Sequence, residues 1–170
     1  MNTPTTIVAP ATPHGVGGIA VVRISGPASY KIGQHISGLA LDVRHATYIN
    51  INDLSGFCID RGIAVFYKNP GSYTGEDVVE ISCHGNPVIV QRIVDICCEL
   101  GATLAEPGEF TRRAFINGKL DLVQAESVGA LIQSQSAESA SLNLRLLEGD
   151  LSKMFAEIKQ VLLQSLSSVE

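Results

Sequence analysis

Little in this chain announces chemistry. No Ser-His-Asp or Cys-His arrangement is legible, which sets aside the familiar nucleophilic hydrolases. No G-x-x-x-x-G-K-[ST] occurs, so these residues hold no P-loop nucleotide hydrolase by themselves. The four cysteines, Cys58, Cys83, Cys97 and Cys98, form no C-x-x-C pair. Cys97 and Cys98 are neighbours in a predicted helix and poorly placed to bridge each other, so all four are expected as reduced, mostly packed thiols. His14, His35, His45 and His84 are scattered without ligand spacing, and no metal site is expected, even where His84 adjoins Cys83. Charge is also sparse. Only 17% of residues are charged and the net charge is -5, which argues against a broad nucleic-acid footprint on this chain alone. No stretch is long and apolar enough to span a membrane, and the N-terminus lacks a basic-then-apolar signal pattern. A soluble, cytoplasmic chain with no membrane partner is the expectation.

What is present is a globular composition, 45% hydrophobic over 170 residues, enough for one domain and part of a second. A chain of this size buries roughly two-thirds of its unfolded surface. Residues 5–9 and 18–25 read as strands joined by the glycine-rich "HGVGG". That segment precedes a strand rather than opening a helix, so it is a turn and not a dinucleotide loop. Residues 27–36 read as a helix starting near Ser25 or Gly26. Residues 46–51, 63–67 and 77–83 read as strands, and "NPGSYTGED" as a loop. Residues 87–100 read as a helix with Pro87 in its first turn and Gly101 just past its end. The alternation predicts an α+β domain, a mixed sheet with flanking helices, over residues 1–118.

After Gly118 there is no proline and only two glycines, Gly129 and Gly149. Leu122, Ala125, Val128, Leu131 and Ile132 make one helical face. From Leu142 a broad apolar stripe runs through Leu144, Leu147, Leu151, Met154, Phe155, Ile158, Val161, Leu162 and Leu166. Residues 119–170 are therefore expected as the first helices of a helical segment. The stripe runs uncapped to Glu170, as in a fragment of a longer protein.

Three charges stand out. Arg23 and Glu80 are lone charges inside otherwise apolar strands; Arg23 shares the face of Ile19 and Val21, Glu80 that of Val78 and Ser82. Burying a charge is costly unless it is paired, so either these two pair with a neighbour or they line a pocket. A carboxylate takes two parallel N–H bonds from a 2-amino-pyrimidinone edge, and a guanidinium donates a fork to oxygens. The third charge lies in "PGEFTRRAFINGKLDLVQAE". There Pro107 and Glu109 suit a first helical turn, Gly118 closes the helix, and Asp121 with Gln124 forms the capping box of the next. Lys119 sits in the short link, either as a solvated linker residue or as an anchor for an anion.

Together, "TIVAPATPHGVGGIAVVRISG", "SYTGEDVVEISCHG" and "PGEFTRRAFINGKLDLVQAE" resemble the N-terminal part of the MnmE (TrmE) tRNA-modification GTPases. The match runs in order from Thr5 to about Ile132. It departs from the family at His14 and Val16 in the glycine loop, at Asn86, and at Gly129–Ala130. The resemblance implies a fold like the folate-binding domain of the aminomethyltransferases, a bound tetrahydrofolate such as the 5-formyl form, and homodimerisation. The folate contacts it implies fall on Arg23, Glu80 and Lys119, with no catalytic residue in this chain. It also implies that GTP, Mg and K belong to the full-length protein. That protein works with the flavin-dependent MnmG on the wobble uridine of certain tRNAs, and the folate supplies the one-carbon unit. The alternatives are a stand-alone folate-dependent aminomethyl- or formyltransferase, and a purely structural dimerisation domain.

Overall fold

The computed structural model describes residues 5–167 and divides the chain into two compact units, residues 1–110 and 111–170. In the first unit, β1 (Ile7–Pro10), β2 (Gly17–Ser25), β3 (Thr47–Asn52), β4 (Cys58–Tyr67), β5 (Val78–Gly85) and β6 (Thr103–Leu104) form one sheet in the order β3-β4-β5-β2-β1-β6. All neighbours run antiparallel except β1 and β6, which are parallel, so the sheet is mixed. The helices of this unit are α1 (Ser29–Ser37) and α2 (Pro87–Glu99).

Alternation decides which face they cover, because successive side chains in a strand point to opposite sides. Val22 and Ile24 of β2, Val79 and Ile81 of β5, and Ala64 and Phe66 of β4 are buried in one cluster with Ile32 and Ile36 of α1 and Ile93 and Ile96 of α2. Gly33 brings α1 close to the sheet: a Cβ there would stand 3.0 Å from a Val79 methyl. At Gly62 an added Cβ would fall 1.9 Å from the Ser82 carbonyl oxygen, so only glycine lets β4 and β5 approach there.

Pro87 takes the first position of α2, and the Asn86 side chain caps it by accepting from Val88 N–H at 2.9 Å. Gly101 follows that helix at φ 96°. Helix α1 departs from its sequence expectation, since its N-cap is Ala28 and carries no side-chain cap. Instead Thr6 Oγ1 accepts from Ala28 N–H at 2.8 Å, and Ser29 Oγ donates to the Asp77 carbonyl at 2.8 Å. Strand β4 begins earlier than its apolar run indicates because Arg61 and Asp60 pair with Asn50 and Ile51 of β3. The two-residue β6 has too little pattern to be read.

Helix α3 (Glu109–Ile116) spans the boundary between the units. Pro107 lies in the turn before it rather than in its first turn, since Gly108 takes φ 75°. In the second unit, Gly118 (φ 68°) closes α3 with the expected paired bonds, Lys119 N–H to Ala114 O at 2.8 Å and Gly118 N–H to Phe115 O at 3.0 Å. Asp121 and Gln124 form the capping box of α4 (Leu122–Ile132). The long apolar stripe is not one helix: Gly149, at φ 87°, separates α5 (Ala137–Leu147) from α6 (Asp150–Ser167). Gln124 Nε2 donates to Leu147 O at 2.8 Å and Ser152 Oγ to Asp121 at 2.5 Å, which ties the start of α4 to that joint. The Leu166 side chain and Glu170 lie outside the described residues.

Candidate functional site

The register of β2 and β5 sets Arg23 directly opposite Glu80, on the sheet face away from α1 and α2. Both Arg23 Nε and Nη2 reach the same carboxylate oxygen, Glu80 Oε1, at 2.7 Å. The two side chains are each a quarter exposed, so the pair is only partly dry. The guanidinium carbon also lies 5.2 Å from the Tyr73 ring centre and 5.6 Å from that of Phe110. Each such contact contributes roughly 0.5–2 kcal/mol, more as water is excluded. The sequence left pairing and pocket-lining as alternatives; the structure has Arg23 and Glu80 paired, with a pocket beside Glu80.

Tyr73 is held by the loop 68–77, whose small polar residues act as fasteners. Ser25 Oγ donates to Glu76 Oε2 at 2.7 Å, so the Thr74 hydroxyl, also at 2.7 Å, donates to Ser25. Ser72 Oγ donates to the Glu76 carbonyl at 2.5 Å, and Asp77 Oδ1 accepts from Asn69 N–H at 2.8 Å. Ser25, Ser72 and Thr74 are buried, so these bonds replace lost water. This loop, with β4 and β5, encloses a pocket of about 230 Å³ lined by Arg44, Tyr67, Gly71, Tyr73, Val78 and Glu80. Arg44 takes φ 58°, a left-handed conformation that costs a non-glycine residue roughly 1–2 kcal/mol. Its N–H donates to Phe66 O at 2.7 Å, its Nη2 donates to Gly71 O at 2.5 Å, and its guanidinium lies 5.7 Å from the Tyr67 ring centre. Sequence reasoning missed Arg44, Tyr73 and the fasteners. The available signal was the density of Ser, Thr, Glu and Asp in "SYTGED", which marks a self-bonded loop.

A second cleft of about 400 Å³ lies on the same strands, beside Ile19, Tyr48, Arg61, Ile63 and His84. There Asp60 accepts from His84 N–H at 2.9 Å and sits 2.7 Å from His84 Nδ1. Burial pushes the Asp60 pKa up, but these bonds outweigh it and hold the carboxyl below its ordinary value. Of the thiols, Cys83 and Cys97 are packed, and burial pushes them up to about 11 and about 12. Cys58 and Cys98 are exposed instead of packed. Lys119 belongs to the second unit. It is exposed in the link between α3 and α4, next to half-buried Leu120.

Residues 6–119 match the family described as the N-terminus of the GTP-binding protein TrmE. The chain belongs to this TrmE family. It is 46% identical over 158 residues to the tRNA modification GTPase MnmE of Pseudomonas putida (strain W619), covering 93% of this chain and 35% of that protein. It is 47% identical over 167 residues to MnmE of Thiobacillus denitrificans, covering 98% of this chain and 37% of that protein. For MnmE of Neisseria gonorrhoeae (strain NCCP11945) the identity is 49% over 152 residues, covering 89% and 34%. The chain thus spans about a third of the length of the curated relatives it matches. Arg23, Arg44, Tyr73, Glu80 and Phe110 all fall within the TrmE-matched residues, and so does Lys119. Among the described residues no helix is long and apolar enough to cross a membrane.

Proposed function

We propose that this chain is the reduced-folate-binding and dimerisation part of a tRNA-modifying GTPase, with a fold like the aminomethyltransferase folate domain. The observation that carries the reading is the Arg23–Glu80 pair beside an aromatic-walled pocket inside the TrmE-matched residues. The donor set fits a pterin head. Both Arg23 donors fall on Glu80 Oε1, which orients the carboxylate and leaves Oε2 to take N–H groups from a 2-amino-4-oxo ring. Tyr67 and Tyr73 give flat walls for that ring. The pocket, at about 230 Å³, is below the ~300–1,000 Å³ that encloses a drug-sized ligand, so it suits the bicyclic head and not a whole folate with its glutamate tail. Lys119 is proposed as a further folate contact on the strength of its motif alone.

When bound, the folate supplies a one-carbon unit for carbon 5 of a wobble uridine. This chain's residues bind and orient it, and none is assigned a catalytic step. GTP with its Mg and K, the tRNA and the flavin-dependent MnmG are proposed for the longer protein, since no P-loop motif occurs in these 170 residues. The deciding experiment is a calorimetric titration of the chain with 5-formyltetrahydrofolate. Saturable binding is expected; a correctly folded chain that gives no saturable heat overturns the reading and leaves a structural module. Light scattering of residues 1–118 is expected to show a dimer, and a monomer at high concentration counts against dimerisation through this part.

A further inference from the structure

We infer that Arg44 is the residue that selects the 4-oxo group of the ligand's head, an inference that rests on the folate reading above. The pocket beside Glu80 has two charged side chains in its lining, Glu80 and Arg44. Arg23 does not line it: its Nε and Nη2 both donate to Glu80 Oε1, and its guanidinium carbon lies 5.2 Å and 5.6 Å from the Tyr73 and Phe110 ring centres. That leaves Arg44 as the lining cation able to meet an acceptor. A 2-amino-4-oxo heterocycle carries its two N–H donors and its carbonyl oxygen on adjacent positions of one ring. A carboxylate reading the donors therefore calls for a cation close by to read the oxygen.

Three features show that Arg44 is fixed for such a role. Its backbone holds a left-handed conformation that arginine rarely takes, pinned by its own N–H to Phe66 O at 2.7 Å. Backbone strain of this kind persists where surrounding structure over-determines it, and it clusters at ligand clamps. Next, one N–H of the guanidinium is tethered to Gly71 O at 2.5 Å, and the group has five donors in a rigid fork. Finally, the tethering residue is itself a glycine. A Cβ at position 71 would stand 3.3 Å from Arg44 Nη2 and 3.2 Å from Lys68 O, crowding the guanidinium where it enters the pocket. Arg44 is exposed, yet an exposed arginine making one incidental bond needs none of these.

The test compares two probes, 5-formyltetrahydrofolate and its 4-amino-4-deoxy counterpart, in which the carbonyl oxygen is replaced by an amino group and the neighbouring ring nitrogen loses its hydrogen. The wild-type chain is expected to prefer the 4-oxo probe, because the 4-amino probe sets donor against donor at Arg44 and also takes one N–H donor away from Glu80. Arg44→Ala is expected to weaken the 4-oxo probe by about 10- to 100-fold, with the 4-amino probe unchanged or tighter, so the preference shrinks by that factor to the part Glu80 sets. Arg44→Lys, which keeps the charge but loses the fork, should retain part of the preference and serves if the alanine variant does not fold. An equal loss on both probes means that Arg44 acts only by holding the loop at Gly71, and that overturns the inference. An unchanged affinity for both also overturns it. Binding of neither probe by the wild-type chain sinks the folate reading and takes this inference with it. Binding of both probes with an undiminished preference in Arg44→Ala sinks the inference alone.

Discussion

On the face of the sheet that α1 and α2 cover, Val22, Ile24, Val79 and Ile81 are fully buried, while on the other face of the same two strands Arg23 and Glu80 keep a quarter of their side chains exposed and Ile19 is 72% exposed. The strand sequences barely distinguish these faces, since "GIAVVRIS" and "DVVEISC" are apolar on both sides except at Arg23 and Glu80. The difference lies in what meets each face. Two amphipathic helices fill one with aliphatic carbon. A polar loop meets the other, and its fasteners and aromatic rings leave pockets between side chains. One face supplies stability; the other can afford polar groups and space because the first does so.

The largest effect is therefore expected on the covered face. Ile81→Ala removes a fully buried side chain from the middle of the core cluster. Unfolding in urea should show a loss of about 2–5 kcal/mol, the range for truncating a buried isoleucine without collapse of the site. A loss below 1 kcal/mol would mean that this core is looser than its burial indicates.

The opposite face should respond in binding rather than in stability. Glu80→Gln keeps the volume and loses one of the paired acceptors. With the folate site as proposed, affinity for 5-formyltetrahydrofolate should fall by roughly thirty- to a thousand-fold, about 2–4 kcal/mol. The urea midpoint should move far less than for Ile81→Ala, since the Arg23–Glu80 pair is partly solvated. Loss of stability without loss of affinity would reverse the roles assigned to the two faces.

These two faces also explain what could be read from the sequence. Strands β1, β2, β3 and β5, the second half of β4, and helices α1 and α2 were legible from their β-branched and apolar runs, with Pro87 and Gly101 marking the ends of α2. Arg23 and Glu80 were legible because a lone charge in an apolar strand violates a rule that has few exceptions. Their mutual contact was not, because register depends on β2 and β5 being antiparallel neighbours although Arg23 and Glu80 are 57 positions apart. Arg44 and Tyr73 were hidden for a related reason. Both sit in irregular segments, where no period links sequence to direction, and only the folded loop shows what they face. The break at Gly149 was overlooked because apolar spacing continues across it; the left-handed φ is invisible in a hydrophobic pattern.

The loop itself offers an intermediate effect. Thr74→Val keeps the shape of a fully buried residue but removes the hydroxyl that donates to Ser25 and accepts from Glu76 N–H at 3.3 Å. Leaving those groups short of a partner should cost about 1–3 kcal/mol in urea unfolding. It should also loosen Tyr73 and weaken folate binding in step. Full stability in Thr74→Val would show that the loop is held by its aromatic contacts instead.

A smaller and pH-dependent effect is expected at Asp60. Its carboxyl is held below the ordinary value of 3.8, so the stability it contributes is complete above that value. That contribution is lost as pH falls from 3.8 through the lower folded value. Asp60→Asn keeps an acceptor for His84 N–H but loses the charge, and should cost about 1 kcal/mol at neutral pH. The gap between wild type and variant should close as pH is lowered below 3.8. A gap that widens on acidification would show that the folded carboxyl is harder to ionise than the unfolded one.

The smallest effect belongs at Ile19, which shares a strand face with Arg23 but lies at the edge of the other cleft. Only 28% of its surface is covered, since it is 72% exposed, so Ile19→Ser removes little buried area. An exposed substitution of this kind shifts stability by no more than about 0.5 kcal/mol in a chain on its own. The prediction sharpens the comparison because it depends on protein concentration. If a second copy covers this part of the face, folding is linked to association, and wild-type stability rises with concentration. Ile19→Ser would then lie close to wild type in dilute solution and fall behind it as concentration increases. Urea unfolding at two concentrations a hundred-fold apart reads this directly. A concentration-independent gap well above 0.5 kcal/mol would place Ile19 in the core, against its exposure.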